Sequence, residues 1–177
     1  MAVVVAKPSV AHERAFVAMV DFDAHDAQNA GFYAHAKRDF ERYVQTLLDE
    51  EHGVNLREGY VPCTHRWLME DTPAVIGVAR LRHNIGTPFL ANEAGHIGYD
   101  VAPSWRGRGY GHRVLQAALV EARALGIERV LLFADENNEP SRKTIVRQGG
   151  QLESIASSEH WQQRTCRYWI EVSPHGS

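Results

Sequence analysis

Gly95-His96-Ile97-Gly98-Tyr99-Asp100-Val101-Ala102-Pro103-Ser104-Trp105-Arg106-Gly107-Arg108-Gly109-Tyr110-Gly111-His112-Arg113-Val114-Leu115 is the stretch on which the fold turns. It reads as a strand, an exit marked by Pro103, a glycine-rich turn and the opening of a helix. Gly107, Gly109 and Gly111 at alternate positions let the main chain approach a ligand closely, and the unpaired N–H groups that open the helix favour negative charge. Arg106 and Arg108 add cationic side chains around the turn. The chemistry is that of an anion site, with a diphosphate as the expected ligand.

Outward from the turn, the helix runs from about Gly109 to Leu125, with Val114, Leu115, Ala118, Leu119, Ala122 and Leu125 on one stripe and Gly126 placed for a left-handed cap. Arg129 to Ala134 is a continuous apolar run suited to a strand covered on both faces, so strand, helix and strand predict a right-handed parallel unit. Asn137-Asn138-Glu139-Pro140-Ser141 opens a further helix to Gln148, stopped by Gly149 and Gly150. Arg164 to Val172 reads as the closing strand. Before the central stretch, Val61 to Met69 and Ala74 to Leu81 form an antiparallel hairpin across Glu70-Asp71-Thr72-Pro73, and Asn84 to Ala94 is a turn-rich connection. Val10 to Met19 predicts a helix, a polar loop carries Asp21, Asp23 and Asp26, and Phe32 to Glu51 predicts a second helix ended by Gly53.

Across 177 residues, 44% hydrophobic and 23% charged, no repeat or linker appears. One soluble domain over 1–177, with its core over about 10–172, is therefore expected. A formal net charge of -3 gives no general reason to expect a nucleic-acid partner. Cys63 and Cys166 lack a Cys-x-x-Cys spacing and read as free core thiols in a reduced, cytoplasmic setting. The apolar run Ala2 to Ala6 is too short for a signal-peptide core, and no window approaches a membrane span, so neither export nor a membrane partner is expected. His12-Glu13 has no partner at zincin spacing and no Cys/His cluster is visible, so no metal is expected. A Gly-x-Ser-x-Gly elbow for acyl hydrolysis is also missing.

The glycine turn departs from two better-known phosphate motifs. The dinucleotide fingerprint needs two residues between its second and third glycines, where this turn has one, and the phosphate loop needs a Gly-Lys-Ser/Thr ending. Arg106, Gly109 and Gly111 instead fill the pattern Arg/Gln-x-x-Gly-x-Gly/Ala and so resemble the pyrophosphate-binding turn of the GNAT superfamily of acyl-CoA-dependent N-acyltransferases. Asn138-x-x-Ser141-x-x-x-Ile145-x-x-x-Gly149-Gly150 resembles that superfamily's second element at the expected interval. The order of elements from Val10 to Val172 is similar as well.

The resemblance implies a mixed α/β (α+β) fold with a central, mostly antiparallel sheet, splayed at the cofactor site and flanked by helices. It implies acetyl-CoA as acyl donor, with Val101 offering backbone groups to the pantetheine and thioester. Arg106, Gly107, Arg108, Gly109, Tyr110, Gly111 and His112 would hold the pyrophosphate, and Asn138 and Ser141 would contact the pantetheine. Read as residues, Asn138 and Ser141 also suit plain helix capping. Ile145 stands where many members of the superfamily carry a tyrosine that protonates the leaving thiolate. Tyr99 or Tyr168 would supply that proton, or the thiolate leaves as it is, since a free thiol ionises near pKa 8.5.

Aminolysis of a thioester needs a neutral amine, whereas alkyl ammonium groups have pKa values near 10. His96 and Glu93 are the candidate bases, with His83 third and structural roles open to each. Tyr33, Phe40, Tyr43 and Trp67 are candidates for an acceptor pocket, although aromatics so spaced also read as core. The expected activity is acetyl transfer to a primary amine of a small molecule, by direct attack in a ternary complex. A protein or peptide amine, or a non-catalytic acyl-CoA sensor, are the alternatives, and a homodimer is left open.

Overall fold

The computed structural model describes residues 2–21, 31–71 and 74–172. Asp23, Asp26, Thr72 and Pro73 therefore lie outside the described residues. Two antiparallel sheets form the framework. In the first, β1 (Val3–Ala6), β2 (Cys63–Glu70), β3 (Ala74–Arg82) and β4 (Ile97–Val101) lie in that order. In the second, β5 (Arg129–Asp135) and β6 (Gln151–Ser158) flank β7 (Gln163–Glu171).

Alternation along the strands gives the first sheet two apolar faces. On one, Phe16, Met19 and Val20 of α1 (Glu13–Val20) and Phe40, Val44 and Leu47 of α3 (Phe40–Glu51) bury Trp67, Met69 and Val78. On the other, Val114, Leu115, Ala118 and Ala122 of α4 (Tyr110–Ala124) cover Leu68, Ile76 and Ile97. The same core continues into the second sheet through Val130, Leu132, Cys166 and Tyr168, and takes in Ile145 of α5 (Glu139–Arg147). Cys63 and Cys166 are buried free thiols. No helix of the described residues is long and apolar enough to cross a membrane.

The structure revises the sequence reading at two places and adds to it at two. Phe32 to Glu51 is not one helix: Asp39, at φ -152° and ψ 89°, ends α2 (Ala34–Arg38) and caps α3 by accepting from the Arg42 N–H at 3.0 Å. Ala2 to Ala6 supplies an edge strand whose register runs from Val3 opposite Glu70 to Ala6 opposite Trp67. Residues 151–158, passed over in the sequence, form β6, whose exposed face lacks an apolar alternation. Asn84 to Ala94 is not all loop but ends in a π-helical turn, Leu90–Ala94.

The parallel unit also takes an unexpected form. β4 and β5 form no ladder and meet at one junction, where the His96 N–H donates to the Leu131 carbonyl at 2.8 Å. Beyond it the two strands splay. Gly95 makes the junction close enough to exist: it sits at φ 67°, and a Cβ there would fall 2.4 Å from the Leu131 oxygen. A main-chain oxygen in a buried sheet cannot move aside cheaply. Gly95→Ala is expected to cost roughly 2–5 kcal/mol from left-handed strain plus overpacking, read as a lowered urea midpoint.

Candidate active site

The turn after β4 has the left-handed backbone its glycines suggest. After β4, the 3-10 turn Pro103–Trp105 leads to Gly107 at φ 73° and Gly109 at φ 82°. A Cβ on either would meet nothing within 4 Å, so both face open space. Gly109 is the N-cap of α4 and offers no capping side chain, leaving the first-turn amides of that helix for a ligand. Trp105 and Tyr110 meet edge to face at 5.3 Å, with Arg108 over Trp105 at 5.6 Å and Arg113 over Tyr110 at 6.0 Å. The stack braces the turn. Arg106 Nε donates to the Val101 carbonyl at 3.0 Å, tying the turn to the splayed end of β4. His112 is exposed, and its carbonyl accepts from Gln148 Nε2 at 3.0 Å.

Gly111 does something different from the other two glycines. It lies inside α4, and a Cβ there would stand 3.4 Å from Thr144 Oγ1 and 3.9 Å from Tyr99 Cε2. Its bareness lets α4 close onto α5 and the Tyr99 ring. On α5, Asn138 is the N-cap, its Oδ1 accepting from the Ser141 N–H at 3.2 Å. Ser141 Oγ lies 3.0 Å from Tyr99 Oη. Burial raises the Tyr99 pKa above 10, so the phenol keeps its proton. Ile145 is buried beneath Gly150, where a Cβ would fall 2.4 Å from Ile145 Cγ2. Tyr168 is also in the core, its hydroxyl accepting from Arg142 Nε at 3.0 Å.

Strand alternation sends the neighbours of Tyr99 to the opposite face of β4. There a cleft of about 210 Å³ lies between the separating strands, walled by Gly98 and Asp100 and by Phe133, Ala134 and Asp135, with Phe32 and Trp161 at its edges. Asp100 Oδ2 accepts from Arg80 Nη1 at 2.9 Å and from the Tyr33 hydroxyl at 2.6 Å. Asp135 accepts from the Asn137 N–H at 2.7 Å. Glu93, from the π-helical turn, lines the same cleft, one carboxylate oxygen accepting from the Ser158 hydroxyl. The Trp161 indole donates to the Glu93 main-chain carbonyl at 3.2 Å.

His96 lies behind the junction. Its Nδ1 accepts from the buried Leu131 N–H at 2.9 Å, so its main chain and ring grip the same residue of β5. Burial, then the Arg82 charge, lowers its pKa to about 4. With Nδ1 accepting, the neutral ring carries its proton on Nε2 and has no free lone pair. His83 pairs with Thr64 Oγ1 at 2.8 Å and is absent from the cleft wall. Of the aromatics, Phe40, Tyr43 and Trp67 pack around Phe16 as core, whereas Tyr33 also reaches Asp100.

Sequence reasoning passed over Arg80, Asp100 and Trp161. The available signal was an arginine inside the apolar run Ala74 to Leu81 and a carboxylate within a strand, since buried charges require partners. It also missed a cluster. Cys63 and His65 on β2 and Glu50 on α3 bring three ligand-type atoms within 4.8 Å of one another, against the expectation that no Cys/His grouping exists.

Two sheets that meet at one junction, with bare helix amides on one side of the opening and a carboxylate-lined cleft on the other, fit an acyl-CoA-dependent transferase. The chain belongs to the acetyltransferase (GNAT) family, which matches residues 18–149. It is an acetyl-CoA-dependent acetyltransferase of that family. No curated protein matches the chain. Among solved structures it is similar to RimL, a ribosomal L7/L12 alpha-N-protein acetyltransferase in complex with coenzyme A. Identity is 18%, coverage 98% of this chain and 96% of that one, and the TM-score 0.74. It is also similar to the microcin C7 self-immunity acetyltransferase MccE in complex with acetyl-CoA and AMP, at 15% identity, 96% and 92% coverage and a TM-score of 0.71. A third likeness is to yncA of Salmonella typhimurium, a putative acetyltransferase with acetyl-CoA, at 14% identity, 100% and 98% coverage and a TM-score of 0.67. At these identities the likeness concerns the fold.

Proposed function

We propose that residues 1–177 form a single acetyltransferase domain that moves the acetyl group of acetyl-CoA to a primary amine of a small molecule, by direct attack in a ternary complex. The observation that carries this reading is the two-sided opening between β4 and β5. Bare helix amides and a protonated phenol lie on the α4 and α5 side, and a cleft of about 210 Å³ lies on the other.

In this scheme the α4 amides from Gly109 onward bind the diphosphate, and main-chain N–H groups near Val101 stabilise the developing oxyanion. Glu93 removes the ammonium proton, directly or through water. Of the three cleft carboxylates, Asp100 is paired with a guanidinium and Asp135 caps a turn, whereas Glu93 is anchored only by neutral donors. Tyr99, poised beside Ser141, protonates the thiolate in place of the tyrosine missing at Ile145. Asn138 and Ser141 do double duty as cap and pantetheine contacts. His96 is a positioning residue that closes the hinge.

Thiol release from acetyl-CoA across a panel of small primary amines and short peptides tests the assignment. Turnover confined to free small amines is expected. Turnover confined to peptide N-termini would transfer the reading to a protein acceptor, and tight coenzyme A binding without turnover would make the chain a sensor.

A further inference from the structure

β2 begins Cys63-Thr64-His65, and alternation puts the first and third of these on one face of the strand. The last turn of α3 lowers Glu50 onto that face, where its Oε2 lies 2.7 Å from His65 Nε2. One atom each from Cys63, His65 and Glu50 then falls within 4.8 Å of the other two. Cys63 and His65 are each 7% exposed, while the Glu50 side chain, at 14%, keeps a route to solvent. The acyl-transfer scheme uses none of the three.

We propose that Cys63, His65 and Glu50 bind a divalent transition-metal ion of the zinc type, at a site separate from the acyl-transfer chemistry. The donor set decides the class of ion. One thiolate, one imidazole and one carboxylate suit zinc, or cobalt(II) as its spectroscopic substitute, whereas magnesium and calcium require all-oxygen shells. Tetrahedral bonds of about 2.0–2.3 Å place ligand atoms about 3.3–3.6 Å apart, against at most 4.8 Å here. Three protein donors leave the fourth position to water.

Metal binding takes a thiolate and an unprotonated imidazole nitrogen as ligands, so loading the site releases protons. Arg82 stands opposite Cys63 in the β2–β3 ladder. Arg82 also lines the acceptor cleft, which places the ion behind the cleft wall rather than within the cleft.

Cobalt(II) added to the chelator-stripped full chain tests the site without any activity assay. One equivalent is expected to produce a sulfur-to-cobalt charge-transfer band together with the visible bands of a tetrahedral ion, both displaced by zinc. Cys63→Ser is expected to remove the charge-transfer band and Cys166→Ser to leave it. His65→Asn is expected to weaken binding by more than the roughly 10–100-fold that loss of an outer partner costs. Retained coenzyme A binding in each variant shows that the fold is intact. Absence of the band in the unmodified chain at one equivalent, its persistence in Cys63→Ser, or its dependence on Cys166 would overturn the proposal.

Discussion

Gly109→Trp is expected to abolish measurable coenzyme A binding while the protein remains folded. The argument rests on what surrounds the missing Cβ. Gly109 sits at φ 82°, where an L-residue pays roughly 1–2 kcal/mol, and a Cβ built there meets no atom within 4 Å. The indole is therefore directed away from the core, into the space over the turn where a diphosphate must approach the α4 amides. Strain alone lowers the melting temperature by about 2–8 °C for a chain of this size. Occlusion removes the ligand's main-chain donors altogether, so a loss of more than about 100-fold in affinity is expected by calorimetric titration. Gly109→Ala separates the two effects, since it carries the strain without the bulk and should retain most of the affinity. Unchanged binding in Gly109→Trp would displace the diphosphate from this turn.

The parts of the fold legible in the sequence are those where one residue type has one physical use. Gly107 and Gly109 have left-handed backbones that other residues resist, and Gly126 ends α4 at φ 71° as its position suggested. The α4 stripe from Val114 to Ala122 and the run Val130 to Leu132 were equally readable, because burial demands apolar side chains, whereas Leu125, expected on the same stripe, is exposed. What escaped depends on tertiary context. Asp39 breaks a helical pattern whose apolar spacing continues across it, because its carboxylate finds the Arg42 amide. β6 is exposed on most of its residues and is a strand only because β7 pairs with it.

The candidate site divides along the same line. The glycine turn lies within one contiguous stretch and could be read locally. The cleft could not. Asp100 meets Tyr33 across 67 positions of sequence, Ser158 meets Glu93 across 65, and His96 meets Leu131 across 35. His96 shows what a sequence leaves open about a histidine. A ring whose accepting nitrogen joins two strands and one that shuttles protons look identical in a sequence, and the Leu131 N–H that His96 accepts is visible only in the fold.

Under the proposed assignment, Glu93→Gln should lower primary-amine turnover at pH 7 by about 10²–10³-fold without changing acetyl-CoA affinity. Glutamine keeps the shape of the side chain and an oxygen for the Ser158 hydroxyl, and the Trp161 bond goes to the main chain, so the latch survives and only basicity is lost. The sign of the pH dependence follows from the substrate. Below its pKa near 10 the amine arrives protonated and needs a base, whereas above it the neutral amine arrives ready to attack. The deficit of Glu93→Gln should therefore shrink as pH rises towards the amine pKa. His96→Ala should behave otherwise: it orphans the Leu131 amide, costs roughly 1–3 kcal/mol of stability, and lowers turnover by a factor that does not vary with pH. Rate profiles of the two variants, measured against pH with one amine, decide between the residues. A flat deficit in Glu93→Gln beside a pH-dependent one in His96→Ala would return the base to the histidine and leave the glutamate as a latch.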